Sequence, residues 1–343
     1  MNINIIADMN TKCLLPLFDK GACRLLSVLA ISFSTVQFAC EKPVRENDSA
    51  SLLVKEAPDA SLHILRAHGS KLVNKLLASD SYGESASLEP LKRKVDNLIS
   101  GYKSQNAVSS VSVYYMDLKT GGWFAINGSE GYTPGSLLKL PVCISFFKLS
   151  EYSPGTMQRQ IFFDPNLPRV PSQTFEVDPI IPGKSYSLDE LIRRVLRDSD
   201  NYSTSLINYN IDYDALKLLY RDIDQAVPDM HDISYTVNAI EYSRFLQILY
   251  NGSWLNESNS EKALSYLAAS SFKEGLTKLL PTDVIVPRKF GEYGSNELKQ
   301  WHESGIVYAP DGHYLITVMT KGYEQEKLRI VISEISKAIY EGR

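Results

Sequence analysis

The sequence predicts an α+β fold in which one mixed sheet, assembled from both ends of the chain, carries an inserted helical lobe. Three observations lead there. Runs of strand composition occur at 111–117 and 123–126, and again at 284–290, 304–308 and 314–320. The long stretch between these two groups holds helical patterns. Helix-spaced apolar residues also flank the strands, with Leu91, Val95, Leu98 and Ile99 before the first group and Leu328, Ile330, Val331, Ile335 and Ile339 after the last.

Composition narrows the function classes. A chain of 343 residues has room for a sizeable core. Its net charge of -4, with Lys and Arg scattered along the sequence, gives no phosphate-binding surface, so nucleic acid is not an expected partner. The cysteines are Cys13, Cys23, Cys40 and Cys143, without a Cys-x-x-Cys pair, and His63, His68, His231, His302 and His313 are dispersed. That pattern supports no metal site, and no cofactor is expected.

Lys20 and Arg24 precede an apolar run at 25–39, whose length and charged flank suit a secretory signal better than a spanning helix. The run ends at Gln37-Phe38-Ala39-Cys40, which resembles a bacterial lipoprotein cleavage site with Cys40 as the lipid attachment residue. Gln37 stands where an aliphatic residue is usual, which leaves an ordinary cleaved signal or an uncleaved anchor as the alternative. The expected organisation is a signal peptide over 1–40 and a tether with a weakly helical segment over 41–88 (Leu62, Leu65, Leu72, Leu76, Leu77). The folded domain follows over 89–343. Such a protein is exported, either periplasmic or held on a bacterial membrane by its N-terminal signal or lipid. Cys143 is then the one thiol in the folded body, and no internal disulfide is expected.

Within the domain, a helix at 89–102 precedes two strands joined by the turn Lys119-Thr120-Gly121-Gly122. Pro134-Gly135-Ser136 opens an apolar helix that Pro141 is expected to kink by removing a backbone donor. Ser187 and Glu190 form a capping box for a helix at 188–197, which stops at Asp198-Ser199-Asp200-Asn201. Further helices are expected at 202–208, 213–219, 239–250, 260–269 and 324–340. The sheet part therefore spans about 89–135 and 270–343 and the all-helical part about 136–269, with a cleft where they meet.

Three short motifs carry the chemistry: Ser136-Leu137-Leu138-Lys139, Ser199-Asp200-Asn201 and Lys289-Phe290-Gly291. Ser136 at a helix start lies near unpaired backbone N–H groups that favour an oxyanion, and Lys139 lies one turn later on the same face. Lys139 takes up a proton only if burial or a neighbouring cation such as Lys289 lowers its pKa. Ser199 can relay a proton to a leaving group. Asn201 can position a substrate carbonyl or the Lys139 amine, and Lys289 offers positive charge to a substrate carboxylate. The chain also contains decoys at Ser270-Ser271-Phe272-Lys273, Ser104-Gln105-Asn106 and Lys119-Thr120-Gly121. Only the set at 136, 199 and 289 runs in the order helix start, interhelical loop, strand.

In that order the motifs resemble those of the class A β-lactamase and serine D,D-peptidase superfamily, which includes the penicillin-binding proteins. The likeness spans about residue 89 to the end. It implies a five-stranded antiparallel sheet flanked by helices, an inserted all-helical subdomain, and acyl-enzyme chemistry at Ser136. It further implies an oxyanion hole from the backbone N–H groups of Ser136 and Glu292, a substrate-binding Gly291, and no metal. The implied substrate is a β-lactam or a D-alanyl peptide of the cell wall.

The chain departs from this pattern twice. Class A enzymes carry a deacylating Glu in a Glu-x-x-Leu-Asn loop, and no such motif follows Asn201; Asp222, Asp224, Asp229 and Asp232 read as solvated loop charge. Phe290 stands where Thr or Ser usually binds the substrate carboxylate, and its ring either walls the cleft or points into the core. Glu292 is positioned to compete with an anionic substrate. Tyr132, Tyr202 and Tyr293 flank the motifs as ligand-stacking or packing residues, and His302 reads as a packing residue. The expected function is a serine hydrolase that forms an acyl-enzyme. The rival reading is a lipoprotein that keeps the fold and binds peptidoglycan or a partner with little turnover.

Overall fold

The structure is a computed structural model that describes residues 64–67, 69–79, 83–168, 177–229, 234–294 and 298–343. The signal peptide, Cys40 and most of the tether lie outside the described residues, as does Asp232.

A hairpin of β1 (Ile64–Arg66) and β2 (Leu76–Ser79) comes first, followed by α1 (Glu89–Ser104), β3 (Ser110–Asp117) and β4 (Trp123–Ile126). The middle comprises α2 (Lys139–Tyr152), β5 (Gln160–Phe162), β6 (Ser185–Ser187), α3 (Leu188–Asp198), α4 (Asn201–Asn208), α5 (Tyr213–Asp222), α6 (Ala239–Asn251) and α7 (Glu257–Ala268). β7 (Arg288–Gly294), β8 (Lys299–Ala309), β9 (Gly312–Gly322) and α8 (Gln325–Tyr340) close the chain.

The main sheet has five strands in the order β4-β3-β9-β8-β7, all antiparallel, with β3 from one end of the chain paired to β9 from the other. It is thus not mixed. The alternation of β3 sends Val111, Val113 and Tyr115 into one core with α1 and α8, and Tyr114 and Met116 into a second core with the helical lobe. The sheet is the middle of three layers. β7 forms an edge, and that edge faces the lobe's Ser136 segment.

Several expectations require correction. Residues 64–79 are a β-hairpin, not a helix: Leu65 and Leu77 are exposed, while Leu72 and Val73 are buried. The hairpin is fixed by distant partners. Glu261 Oε2 accepts from the backbone N–H groups of Leu72 and Val73 at 2.7 and 3.1 Å, and Arg66 donates to Asn251 Oδ1 and the Leu118 carbonyl at 3.0 and 2.9 Å. The lobe is not all-helical, because β5 and β6 pair within it around the buried Ile161.

The strand expected at 284–290 begins only at Arg288. Pro287 lacks a ladder donor, and Ile285 makes an isolated bridge to Tyr308. The helix beginning at Ser136 is a 3-10 turn (Gly135–Leu138) leading into α2, so Pro141 falls in the first turn of α2, where proline is tolerated. The Leu137 carbonyl, four residues before Pro141, accepts instead from the Tyr242 hydroxyl at 3.0 Å.

Candidate active site

Three elements converge on one point. Ser136 lies in the 3-10 turn and Lys139 at the first residue of α2; Ser199 and Asn201 lie at the α3–α4 junction, and Lys289 on β7. Ser199 caps α3 in the left-handed region, at φ 56° and ψ 29°, which is uncommon for a residue with a Cβ and reflects strain held at this junction. Asp200 then caps α4, accepting from Tyr202 N–H at 2.9 Å and from Ser203 Oγ at 2.6 Å, which fixes Asn201 beside it.

Lys139 Nζ donates to the Ser199 carbonyl at 2.6 Å, to Asn201 Oδ1 at 2.7 Å and to Ser199 Oγ at 3.1 Å. Lys289 Nζ donates to the same Ser199 Oγ at 2.9 Å and to the Phe290 carbonyl at 2.8 Å. Both lysines are buried, at 8% and 1% exposure. Burial pushes the Lys139 amine down to about 8, against the opposing pull of Asp200. Burial also holds Lys289 well below its ordinary value, and the neighbouring Lys139 cation adds to the effect.

A hydroxyl has two acceptor lone pairs and one proton. Ser199 Oγ accepts from both lysines, which leaves its own proton to donate elsewhere. Such a group is poised to hand a proton to a departing atom and regain it from Lys139.

Ser136 is held against β7 by two glycines. Gly135 has φ +52°, and a Cβ there would collide with the Glu292 carbonyl while lying 3.3 Å from the Glu292 nitrogen. A Cβ on Gly291 would lie 2.5 Å from the Pro134 carbonyl oxygen and 2.9 Å from the Leu137 nitrogen. The two backbones are therefore in direct contact, Gly135 against Glu292 and Gly291 against Pro134 and Leu137. On the other flank, Gln300 Oε1 accepts from Thr133 N–H at 3.1 Å and His302 Nε2 donates to the Thr133 carbonyl at 3.1 Å. His302 is fully buried, with its pKa pushed down to about 3 by burial, and is a neutral packing and positioning residue.

Phe290 points into the core. It is 3% exposed and stacks on Trp301 at 5.7 Å and 8°, with Phe272 at 4.6 Å on another side. Tyr132 is buried and hydrogen-bonded to Ser110 and Ser112 at 3.0 Å each, Tyr202 packs on Phe163, and Tyr293 is exposed at the strand edge. Cys143 is buried one turn beyond Lys139 as a free thiol. A cavity of about 520 Å³ on the lobe, lined by Phe146, Arg159 and Tyr213 among others, contains no motif residue, so concavity alone does not locate the chemistry.

Sequence reasoning missed Tyr242, Asp200, Gly135 and Gln300. The Asp-x-x-Ser spacing of Asp200 and Ser203 and the Pro-Gly before Ser136 carried a local signal for two of them. Tyr242 and Gln300 act across the fold and left none.

The model for the beta-lactamase enzyme family matches residues 90–342. The chain belongs to that family. Solved structures of beta-lactamase folds resemble it at low identity. A beta-lactamase from Chitinophaga pinensis DSM 2588 is 19% identical, with a TM-score of 0.62, covering 74% of this chain and 99% of that one. A variant of PBP-A, held as an acyl-enzyme complex with penicillin G, is 17% identical with a TM-score of 0.61, covering 73% and 96%. The TLA-1 extended-spectrum beta-lactamase is 18% identical with a TM-score of 0.60, covering 72% and 98%. No curated protein matches the chain. Membership accounts for the beta-lactamase fold, its five-stranded antiparallel sheet and its cleft-facing edge strand.

Proposed function

We propose that this beta-lactamase family member is an exported serine hydrolase that forms an acyl-enzyme at Ser136 on a β-lactam or a D-alanyl peptide. The reading rests above all on the convergence of the Lys139 and Lys289 amines on the Ser199 hydroxyl. A protein that only binds has no need of two buried, depressed lysines around one hydroxyl.

Ser136 Oγ attacks the carbonyl carbon and passes its proton to the neutral Lys139 amine. The oxyanion is held by the backbone N–H groups of Ser136 and Glu292. The C–N bond then breaks, the leaving nitrogen takes the Ser199 proton, and Lys139 resupplies it. Asn201 and the Gly291 backbone position the acyl group.

Release of the acyl group is slow on this reading. The sequence has no Glu-x-x-Leu-Asn motif after Asn201, and Asp222 is occupied by Trp254 Nε1 at 3.1 Å and by Arg221. The apolar run before Cys40 supports export, with lipid attachment at Cys40 anchoring the domain to the membrane. Labelling with a fluorescent penicillin and with a fluorophosphonate tests the acylation step. A label that survives denaturation on the wild type and is lost in Ser136→Ala is expected, and equal labelling of both proteins refutes it.

A further inference from the structure

We infer that the cleft selects acyl donors without a carboxylate beside the scissile bond, with Phe290 and Glu292 setting that preference. The inference rests on Ser136 being the acylated residue. In the superfamily that the motifs resemble, a hydroxyl at the position of Phe290 binds the substrate carboxylate, and a lysine beside it supplies charge.

The hydroxyl is missing here, and the lysine is largely engaged. The Phe290 ring has no hydrogen-bond donor and is packed between Phe272 and Trp301. Lys289 is turned inward: its ammonium donates to Ser199 Oγ and the Phe290 carbonyl, and it sits 4.3 Å from the centroid of the Phe290 ring. Two of its three ammonium donors are thereby engaged inside the site.

An acidic residue stands beside the Ser136 segment: the backbone of Glu292 abuts Gly135. Glu292 lies two residues after Phe290, on the same side of β7, and is only partly buried. Its Oε2 is 3.3 Å from Gln325 Nε2 at the start of α8. Its charge opposes, as a minor contribution, the burial that lowers the pKa of Lys139 and Lys289. Arg329 lies over the Trp301 ring at 5.2 Å with its Nε buried, on the α8 side of the sheet. A substrate carboxylate entering beside Glu292 would therefore meet like charge, with no hydroxyl at position 290 to donate to it. An esterified or amidated donor escapes that repulsion, and the exposed Tyr293 next along the strand offers it an aromatic face.

The test compares a penicillin with its methyl ester, which present the same acyl group. Acylation rates of the wild type, read by intact mass, are expected to favour the ester by about ten-fold or more. Glu292→Ala, and separately Phe290→Thr, are expected to move the ratio toward the acid. A wild type acylated faster by the acid overturns the inference, as does a ratio that Glu292→Ala leaves unchanged. Binding of the same two compounds to Ser136→Ala, measured by calorimetry, separates this from failure of the acylation reading. If neither compound acylates the wild type, tighter binding of the ester to that variant still supports the preference. Tighter binding of the acid, or binding of neither, refutes it.

Discussion

The Tyr242 hydroxyl donates to the Leu137 carbonyl at 3.0 Å, an acceptor to which Pro141, lacking an N–H, cannot donate. Both groups are buried, and Leu137 follows Ser136 directly. Removing the donor takes away a buried hydrogen bond, at a cost of about 0.5–1.5 kcal/mol. Tyr242→Phe should lower the denaturation midpoint accordingly. Pro141→Ala restores a backbone donor to Leu137, so the double variant should lose less than the sum of the singles. Additive losses in chemical denaturation would break the link between the two residues.

The Lys139 amine must be neutral to take the Ser136 proton, and its pKa lies near 8. The acylation rate should therefore climb about ten-fold per pH unit below that value and level off above it. A pH–rate profile with an uncharged acyl donor checks this. Lys139→Ala should lower the plateau by about 10²–10⁴-fold and abolish the slope.

Ser199 should matter in proportion to the leaving group's need for a proton. Ser199→Ala is expected to slow acylation by an amide or β-lactam by about 10²-fold or more, while an activated aryl ester, whose phenolate departs unaided, should be affected far less. Equal losses with both donors would point to a structural role at the strained α3–α4 junction.

His302 gives a stability prediction of definite sign. Its pKa is about 3 in the fold against 6.5 as a free side chain, so the folded state binds fewer protons between those values. Its contribution is fully present above pH 6.5 and is lost as pH falls toward 3. The stability advantage of the wild type over His302→Asn should shrink on acidification across that range. A difference independent of pH, measured by denaturant titration, would contradict the burial of a neutral imidazole.

What was legible in the sequence depended on local signals. The Ser187 cap of α3 and the hairpin of β3 and β4 each act within a few residues and are present, although Glu190 completes only half of the expected capping box: its backbone N–H donates to Ser187 Oγ while its carboxylate accepts from Arg194. The motif residues Lys139, Ser199, Asn201 and Lys289 come together as their order implied. The hairpin at 64–79 was misread because its partners, Glu261 and Asn251, are almost two hundred residues away. The direction of Phe290 was undetermined for the same reason, since it is decided by Trp301 across the sheet and by Phe272 from the connection after α7. Pro141 was visible, but the start of α2 that makes it harmless was not.

On the proposed function, Ser136 takes the acyl group and gives it up slowly. Intact-mass measurement over time, after mixing with an uncharged activated acyl ester, tests this most directly. The expected result is an adduct of one acyl group that maps to the Ser136 peptide, persists for many minutes and is missing from Ser136→Ala. No adduct on the wild type together with no ester turnover, or an equal adduct on Ser136→Ala, would contradict it.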